Sequence, residues 1–258
     1  MITAAIHQPQ YLPWLAYLDK ADQADVFVFL DTVQYMRRGV QNRNRIKNAS
    51  RALWLTVPVT AAYSDPISKV AIAAPGWSRK HVSSLRHAYA RARHADRLDG
   101  LVAVLERPFS LLADLNVAVT SWLFAQFGVG ARTLRASELA GVSGAKDELI
   151  IALCRAVGAT RYLSGPGARA YQSRERFEEA GVELVYQSYE PRPYAQCHPA
   201  LPFLPGLSAV DTVLNEGPRA REVMLAGRRA PTPAAQLDEA LVDPVANVDE
   251  YPPVPGDG

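Results

Sequence analysis

Residues 2–31, ITAAIHQPQYLPWLAYLDKADQADVFVFLD, carry the pattern that decides the fold. The apolar run from Ile2 to His7 predicts a first strand, and the run from Val26 to Leu30 predicts a second strand that is buried on both faces. Between them, apolar residues recur at helical spacing at Trp14, Leu15, Leu18 and Ala21. The order strand, helix, strand predicts a right-handed βαβ unit and therefore a parallel sheet.

The rest of the chain continues this alternation of strands and helices. Strand patterns occur at residues 53–59, 69–73, 132–134, 160–163 and 182–185, the last of which we expect to be the final strand. Helical patterns occur at residues 146–157 and 169–180, with two short helices near Val210 and Arg219. Residues 77–128 show no strand pattern and are divided by Pro108, which predicts a helical insert. We expect an α/β fold with a parallel-sheet, Rossmann-like core.

Charge divides the chain into a basic body and an acidic tail. The 258 residues include 28 Lys and Arg and 26 Asp and Glu, for a net charge of +2. Residues 230–258 contain no Lys or Arg and six of the acids, which leaves residues 1–229 with a net charge of +8. We expect residues 1–229 to form one α/β domain and the Pro-rich tail to be disordered. A basic body favours an anionic small-molecule substrate as partner.

Several classes of protein are disfavoured by what the sequence lacks. No signal peptide pattern and no apolar window long enough for a membrane span are found, so the sequence predicts a cytoplasmic protein. Two cysteines, Cys154 and Cys197, do not make a disulfide framework. No zinc or calcium motif occurs, so we predict no metal ligands.

Polar side chains follow the ends of the first two predicted strands, where α/β sheets place ligands. His7 is a candidate acid or base, and Asp31 is a candidate base or orienting carboxylate. The alternatives are a loop histidine bonded to backbone and a turn or cap aspartate. The residues that we expect to contact the substrate here are Gln8, Tyr11, Gln34 and Tyr35, although Tyr11 also fits packing against the sheet.

The segment from Arg37 to Arg51 holds six basic residues and no acid. A solvated basic loop would explain a bare charge run, but here amides alternate with guanidinium groups, which suits recognition of several oxygens. In an extended segment one set of side chains would face the ligand and the other would fix the loop. The candidate binding residues are Arg37, Arg38, Gln41, Asn42, Arg43, Asn44, Arg45 and Lys47.

Two later segments add candidates. Ser164-Gly165-Pro166-Gly167 follows a predicted strand and precedes a predicted helix, so Ser164 and Gly165 fit close approach to a ligand. His198 is a further candidate binding residue, whereas Cys197 lies among prolines without the geometry that thiol catalysis needs. A second basic cluster between Lys80 and Arg97 fits either an exposed helix face or a second phosphate contact.

The chain contains the motifs HQPQYLPWLAYLDK, ADVFVFLDTVQY, QNRNRIK, WLTVPV, YLSGPGARAY and LNEGP. In these motifs it resembles the WbqC-like protein family, over roughly residues 2–226. The resemblance implies a role in bacterial polysaccharide assembly, such as O-antigen assembly, or in specialised-metabolite biosynthesis. The opening strand, His-containing loop and helix are also similar to nucleotidyltransferase-like domains, in which a helix N-terminus holds phosphate.

These observations lead to two expected functions. The first is a transferase, of acyl or aminoacyl type or nucleotide-dependent, that acts on a small phosphorylated or nucleotide-linked substrate. The second is a non-catalytic protein of the same pathway that binds a nucleotide sugar or a carrier protein. The sequence leaves the cofactor unidentified, and a nucleotide with Mg²⁺ is compatible with it. The absence of a recognised motif disfavours a nucleic-acid partner.

Overall fold

The computed structural model describes residues 1–37 and 39–237. The strands in this part of the chain are β1 (Thr3–His7), β2 (Val26–Phe29), β3 (Arg43–Lys47), β4 (Ala52–Thr56), β5 (Val59–Thr60), β6 (Ala71–Ile72), β7 (Arg132–Arg135), β8 (Arg161–Ser164), β9 (Glu183–Tyr189) and β10 (Arg228–Pro233). The α-helices are α1 (Leu15–Asp22), α2 (Trp77–Ala88), α3 (Leu98–Leu105), α4 (Leu112–Phe127), α5 (Asp147–Ala156), α6 (Arg174–Glu179), α7 (Ala209–Glu216) and α8 (Ala220–Gly227).

Six strands form the central sheet in the order β10-β9-β8-β1-β2-β7. All neighbouring pairs are parallel except β9 and β10, which are antiparallel. The expected α/β fold with a mainly parallel sheet is therefore confirmed. The chain leaves β1 towards β2 and β7 on one side and later returns to β8 on the other side. The gap between the ends of β1 and β8 is thus the topological switch point, where open α/β sheets bind ligands.

Helices cover both faces of this sheet because β1 and β2 are apolar on both faces. Ala5, Phe27 and Phe29 face a core shared with α1, α2, α3, α4, α7 and α8. Ala4, Ile6 and Val28 face a second core shared with α5 and α6. Alternation of side chains along a strand produces this division, and the result is a three-layer arrangement of helices, sheet and helices.

The helical region between residues 77 and 127 packs directly on the sheet. Leu85, Leu101 and Leu123 belong to the same core as Phe27 of β2, and the Phe124 ring lies 5.5 Å from the Phe27 ring. Pro108 falls between α3 and α4, as the sequence predicts. This region therefore contributes to the main core of the molecule.

The carboxyl-terminal part of the chain differs from expectation in three places. Residues 166–170 form a 3-10 turn and α6 begins only at Arg174, because this turn takes up the start of the expected helix. The strand expected at residues 182–185 extends to Tyr189 and is not the last. Arg228–Pro233 form β10 inside the segment where the tail was expected to begin; its two prolines are tolerated because β10 is an edge strand. The rest of the expected tail, 238–258, lies outside the described residues.

Two short antiparallel pairs, β3 with β4 and β5 with β6, lie apart from the main sheet. β3 lies in the polar segment that follows β2. β4 and β5 lie in and around the strand expected at residues 53–59, which is divided at Val57-Pro58, and β6 lies in the strand expected at residues 69–73. Within the part of the chain that the structure describes, no helix is both long and apolar enough to cross a bilayer.

Candidate functional site

The predicted residues His7, Asp31 and Ser164 meet at one edge of the sheet. His7 ends β1 and pairs in register with Phe29 of β2, and Asp31 follows two residues later. Ser164 ends β8, the neighbour of β1 on its other side. Because all three strands are parallel, their carboxyl ends lie side by side at the switch point. This carboxyl edge is the candidate site.

His7 is partly exposed at this edge and held on both sides of its ring. Its Nδ1 lies 3.1 Å from the carbonyl oxygen of Gln8, and its ring packs edge-on against Tyr17 at 4.7 Å between centroids. A carbonyl oxygen only accepts hydrogen bonds, so Nδ1 carries the proton in this contact. The neutral imidazole then has Nε2 as its basic atom, which suits a general base.

Gln8 connects His7 to the polar segment that the sequence singled out. Nε2 of Gln41 donates to Oε1 of Gln8 at 2.6 Å, and Oε1 of Gln41 accepts from the backbone N–H of Met36 at 2.8 Å. Nδ2 of Asn116, on α4, donates to the carbonyls of Pro9 and Gln41 at 3.1 and 2.7 Å. The loop after β1 and the segment before β3 are therefore fixed to each other.

The alternation expected in the polar segment is present in β3. Arg43 and Arg45 share one face, with their guanidinium carbons 4.5 and 5.4 Å from the Trp54 ring centroid. On the other face, Nδ2 of Asn44 donates to Leu12 O at 2.5 Å. Just before the strand, Nδ2 of Asn42 donates to Val57 O at 2.9 Å. The two asparagines bind backbone, whereas the arginines stack on an aromatic ring.

The remaining residues of the first loops have varied surroundings. Tyr11 is fully buried, and its hydroxyl lies 2.8 Å from Nδ1 of His81, which leaves no surface for a ligand. Gln34 and Arg37 donate to backbone carbonyls of Tyr63 and Ala61. Tyr35 is also buried. Burial raises the pKa of its hydroxyl, although the charges of Arg37 and Arg43 act to lower this pKa. The candidate Arg38 lies outside the described residues.

Asp31 is completely buried and makes three hydrogen bonds through its carboxylate. Nε of Arg135 donates at 2.9 Å, and the backbone N–H and hydroxyl of Ser137 donate at 2.9 and 2.7 Å. Arg135 also donates to Asp114 of α4 at 2.6 Å. Asp31 therefore ties the end of β2 to the end of β7, which is a positioning arrangement.

Two cations that the sequence reading missed lie at the same edge. Lys20 of α1 is only 3% exposed, and its ammonium group donates to Ile6 O at 3.1 Å. The same nitrogen is 4.0 Å from where a Cβ on Gly165 would stand. Arg169 lies 5.1 Å over the ring of Tyr186, the β9 residue paired with Ser164. The apolar stripe of Trp14, Leu15, Leu18 and Ala21 does not include Lys20, so the sequence offered no signal for its burial.

Ser164 is fully buried, and its hydroxyl donates to Oε1 of Gln172 at 2.8 Å. Gly165, which follows it, is partly exposed. The backbone after β8 is thus the accessible part of this predicted pair, and the Ser164 side chain holds the turn that carries Arg169.

The structure places Lys47 and His198 with a different set of residues. Lys47 ends β3, about 14 Å along the strand from Arg43. Its ammonium group donates to Leu201 O and Pro202 O at 3.4 and 3.1 Å. Nε2 of His198 lies 2.7 Å from Ala88 O at the end of α2. Lys47 and His198 therefore lie apart from the residues at the carboxyl edge.

A buried polar cluster lies beside Lys47. Asp211 is fully buried and accepts hydrogen bonds from the hydroxyls of Tyr89 and Tyr194 at 2.8 and 2.6 Å. Burial raises the pKa of Asp211 and lowers the pKa of Lys47. Burial and then the Asp211 charge raise the pKa of the Cys197 thiol, so this thiol stays protonated at neutral pH and is a poor nucleophile.

No group of three or more His, Cys, Asp or Glu side chains suited to a metal ion occurs within residues 1–37 and 39–237. The donors at the carboxyl edge are instead an imidazole, amides, backbone N–H groups and cations. Such a set suits an anionic organic ligand better than a resident metal ion.

Comparison with known proteins gives the chain a family context. A family model described as the WbqC-like protein family matches residues 8–223. An uncharacterized protein of Mycobacterium tuberculosis (strain ATCC 25618 / H37Rv) is 31% identical over 229 residues, which cover 87% of this chain and 98% of that protein. No solved structure matches.

Proposed function

The chain belongs to the WbqC-like protein family. From its carboxyl-edge site we propose that it is a transferase in the assembly of an O-antigen-like polysaccharide or of a specialised metabolite. Its substrate would be a small phosphorylated or nucleotide-linked molecule. It would transfer an acyl or aminoacyl group to an amine or hydroxyl of that substrate, or it would carry out a nucleotide-dependent reaction on that amine or hydroxyl.

One observation carries the proposal: a partly exposed imidazole and two cations lie together at the switch point of the sheet. His7 offers a basic nitrogen there, and Lys20 and Arg169 supply positive charge from neighbouring elements. The Nε of Arg169 is buried and has no hydrogen-bond partner among the described residues. A buried N–H donor without an acceptor supports a site built to receive an anion.

The chemistry assigned to His7 is general base catalysis. In this step Nε2 of His7 takes the proton of the acceptor amine or hydroxyl as that atom forms its bond to the transferred carbonyl carbon. The bond between that carbon and the donor's leaving group breaks, and the leaving group keeps the electron pair. Lys20 and Arg169 would stabilise the phosphate of the substrate.

Asp31 has a positioning role in this proposal. Its two oxygens already accept three hydrogen bonds from Arg135 and Ser137, so it is not offered as a base or as a ligand for the Mg²⁺ of a nucleotide. The loop contacts of Gln8, Gln41 and Asn116 would hold His7 in place.

The test is a mass-spectrometric turnover assay with nucleotide-linked amino sugars as acceptors and acyl thioesters as donors. Replacing His7 by Asn should lower the rate by about 100-fold or more, since that is the usual range for loss of a general base. The matched control is His87→Asn, because His87 is an exposed histidine of α2 that the proposal does not place at the carboxyl edge. Equal turnover by the two variants would end the assignment of His7.

A second function is favoured by the many polar groups that bind backbone. Asn42 and Asn44 hold loops, and Asp31 holds β7, so these buried side chains make the loops of the polar segment rigid. A non-catalytic protein that binds a nucleotide sugar or a carrier protein would need such rigid loops. Calorimetric binding of a nucleotide sugar without any product by mass spectrometry would support this function over the transferase.

A further inference from the structure

A cavity lies between the end of α2, the loop at residues 195–199 and the end of α7. Its volume is about 440 Å³. The polar side chains that line it include Arg91, Arg93, Cys197, His198, Asn215 and Arg219. This volume falls within the range of sites for small organic ligands and exceeds the space that one inorganic phosphate fills.

Two hydrogen bonds hold the walls of this cavity in place. The backbone N–H of His94 donates to Leu214 O at 2.9 Å, which fixes the segment after α2 to α7. The backbone N–H of Cys197 donates to Oδ1 of Asn215 at 2.9 Å, which fixes the loop to the same helix. The cavity is therefore a feature of three connected elements.

The charge of the lining is strongly positive. Arg91, Arg93 and Arg219 contribute three guanidinium groups, and Glu216 is the acidic residue among the lining. Glu216 already accepts from Arg219 at 2.6 Å. Arg91 and Arg93 are exposed and form no ion pair with a carboxylate within the described part of the chain. Two planar guanidinium forks thus face solvent at the rim of a cavity without an anionic partner.

His198 forms part of the wall of this cavity. Its Nε2 lies 2.7 Å from Ala88 O, and since a carbonyl only accepts, Nε2 carries a proton. Its backbone has φ of 61°, in the left-handed region that non-glycine residues seldom adopt. The bond to Ala88 therefore holds this imidazole in the wall of the cavity despite an unfavourable backbone conformation.

We propose that this cavity binds the phosphate group of a small phosphorylated molecule, with Arg91 and Arg93 as the principal contacts and Arg219 as a secondary contact. This site is separate from the carboxyl edge and does not depend on the proposed transferase function. The protonated thiol of Cys197 and the amide of Asn215 would contact the uncharged part of the ligand.

The experiment is isothermal titration calorimetry of the full chain with inorganic phosphate, glucose 6-phosphate and citrate at low ionic strength. The test variant is Arg91→Gln/Arg93→Gln. The matched control is Arg79→Gln/Lys80→Gln, because it removes the same charge from exposed positions of α2 that do not line the cavity. Thermal melting followed by circular dichroism should show that both variants remain folded.

Glucose 6-phosphate should bind wild type more tightly than inorganic phosphate or citrate does. The affinity of glucose 6-phosphate should fall at least tenfold in the test variant and change less than twofold in the control and in His7→Asn. Equal losses of affinity in the test and control variants would show that net charge alone explains the effect, and would overturn the proposal. The proposal would also be overturned if glucose 6-phosphate showed no saturable binding to wild type, or if its affinity fell in His7→Asn alone.

Discussion

At the scale of single residues, the hydrogen bond from Gln41 to Gln8 is one of the contacts that join the loop after β1 to the segment before β3. It links side chains 33 positions apart in sequence, at 2.6 Å between Nε2 and Oε1. The imidazole of His7 lies directly beside it, in contact with the carbonyl of Gln8. Any loss of this link should loosen the loop that presents His7.

A double-mutant cycle measures this link. Gln8→Ala and Gln41→Ala should show a coupling of about 1 kcal/mol in the free energy of unfolding, determined by urea denaturation, because each variant removes the partner of the other. The control cycle combines Gln41→Ala with Gln126→Ala, since Gln126 binds Arg97 and shares no partner with Gln41. A coupling of zero in the first cycle would show that the contact does not stabilise the loop.

His81 makes the stability of the fold depend on pH. Burial lowers the pKa of His81 from 6.5 to about 4, although the hydrogen bond to the Thr56 carbonyl opposes this shift. The neutral ring fits its surroundings, with Nε2–H donating to Thr56 O and Nδ1 accepting from the Tyr11 hydroxyl. Between pH 6.5 and 4 the unfolded chain binds the proton that the folded chain excludes, so stability falls as pH falls.

The expected contribution is a loss of about 2 kcal/mol in the free energy of unfolding between pH 7.5 and 5, from the linkage relation. Urea denaturation at the two pH values measures it. In His81→Gln, which lacks the titrating group, the difference between the two pH values should shrink by about that amount. An unchanged difference in the variant would show that His81 is not the group responsible.

For single residues, the sequence predicted the position in the fold better than it predicted the role of the side chain. His7 and Asp31 were expected at strand ends because runs of apolar residues stop there, and both lie at the carboxyl edge. The burial of Asp31 against Arg135 could not be read from the sequence, because Arg135 is 104 positions away. Lys20 was missed for a similar reason, since only the packing of α1 on the sheet shows that its charge is buried.

At the scale of secondary-structure elements, β10 shows how an ion pair can anchor an edge strand. Nε and Nη2 of Arg228 donate to Asp19 and Asp22 of α1 at 2.6 and 2.5 Å. Asp19 is fully buried and also accepts from Gln187 of β9 at 2.7 Å. The strand is thus joined to a helix near the start of the chain by a contact that spans more than 200 positions.

Removing this anchor should destabilise the fold strongly. We expect Arg228→Met to lower the free energy of unfolding by about 3 kcal/mol, because it leaves a buried carboxylate without its cation. The control is Arg229→Met, whose partner Glu190 is 61% exposed; its loss should be below about 1 kcal/mol. Thermal and urea denaturation of both variants measure the difference. Similar losses for both would contradict the anchoring role of Arg228.

The elements that the sequence predicted best are those with complete local patterns. β1, α1 and β2 lie within one or two residues of expectation, since each has an uninterrupted period and a clear stop. β10 was missed because its pattern includes prolines and few apolar residues, and its stability comes from β9 and α1. The helix expected at 169–180 was too long because the turn before it competes with helix formation.

At the scale of the whole molecule, the parallel sheet gathers the candidate catalytic residue and the two missed cations at one edge. Neighbouring strand ends bring His7, Asp31 and Ser164 together, and helices from both sequence halves cover the sheet. The sequence predicted this convergence through the βαβ pattern. It did not predict that Lys47 would lie beside Leu201 and Pro202 and His198 beside Ala88, because these contacts join residues that are far apart in sequence.

The most direct test of the central claim, that an anionic substrate binds at the carboxyl edge, is a crystal structure of the protein with uridine diphosphate. The account predicts diphosphate density within hydrogen-bond distance of the backbone at Gly165 or of the Arg169 guanidinium, with His7 facing the ligand. Density found only at the opposite edge of the sheet, or only between Arg91 and Arg93, would contradict it.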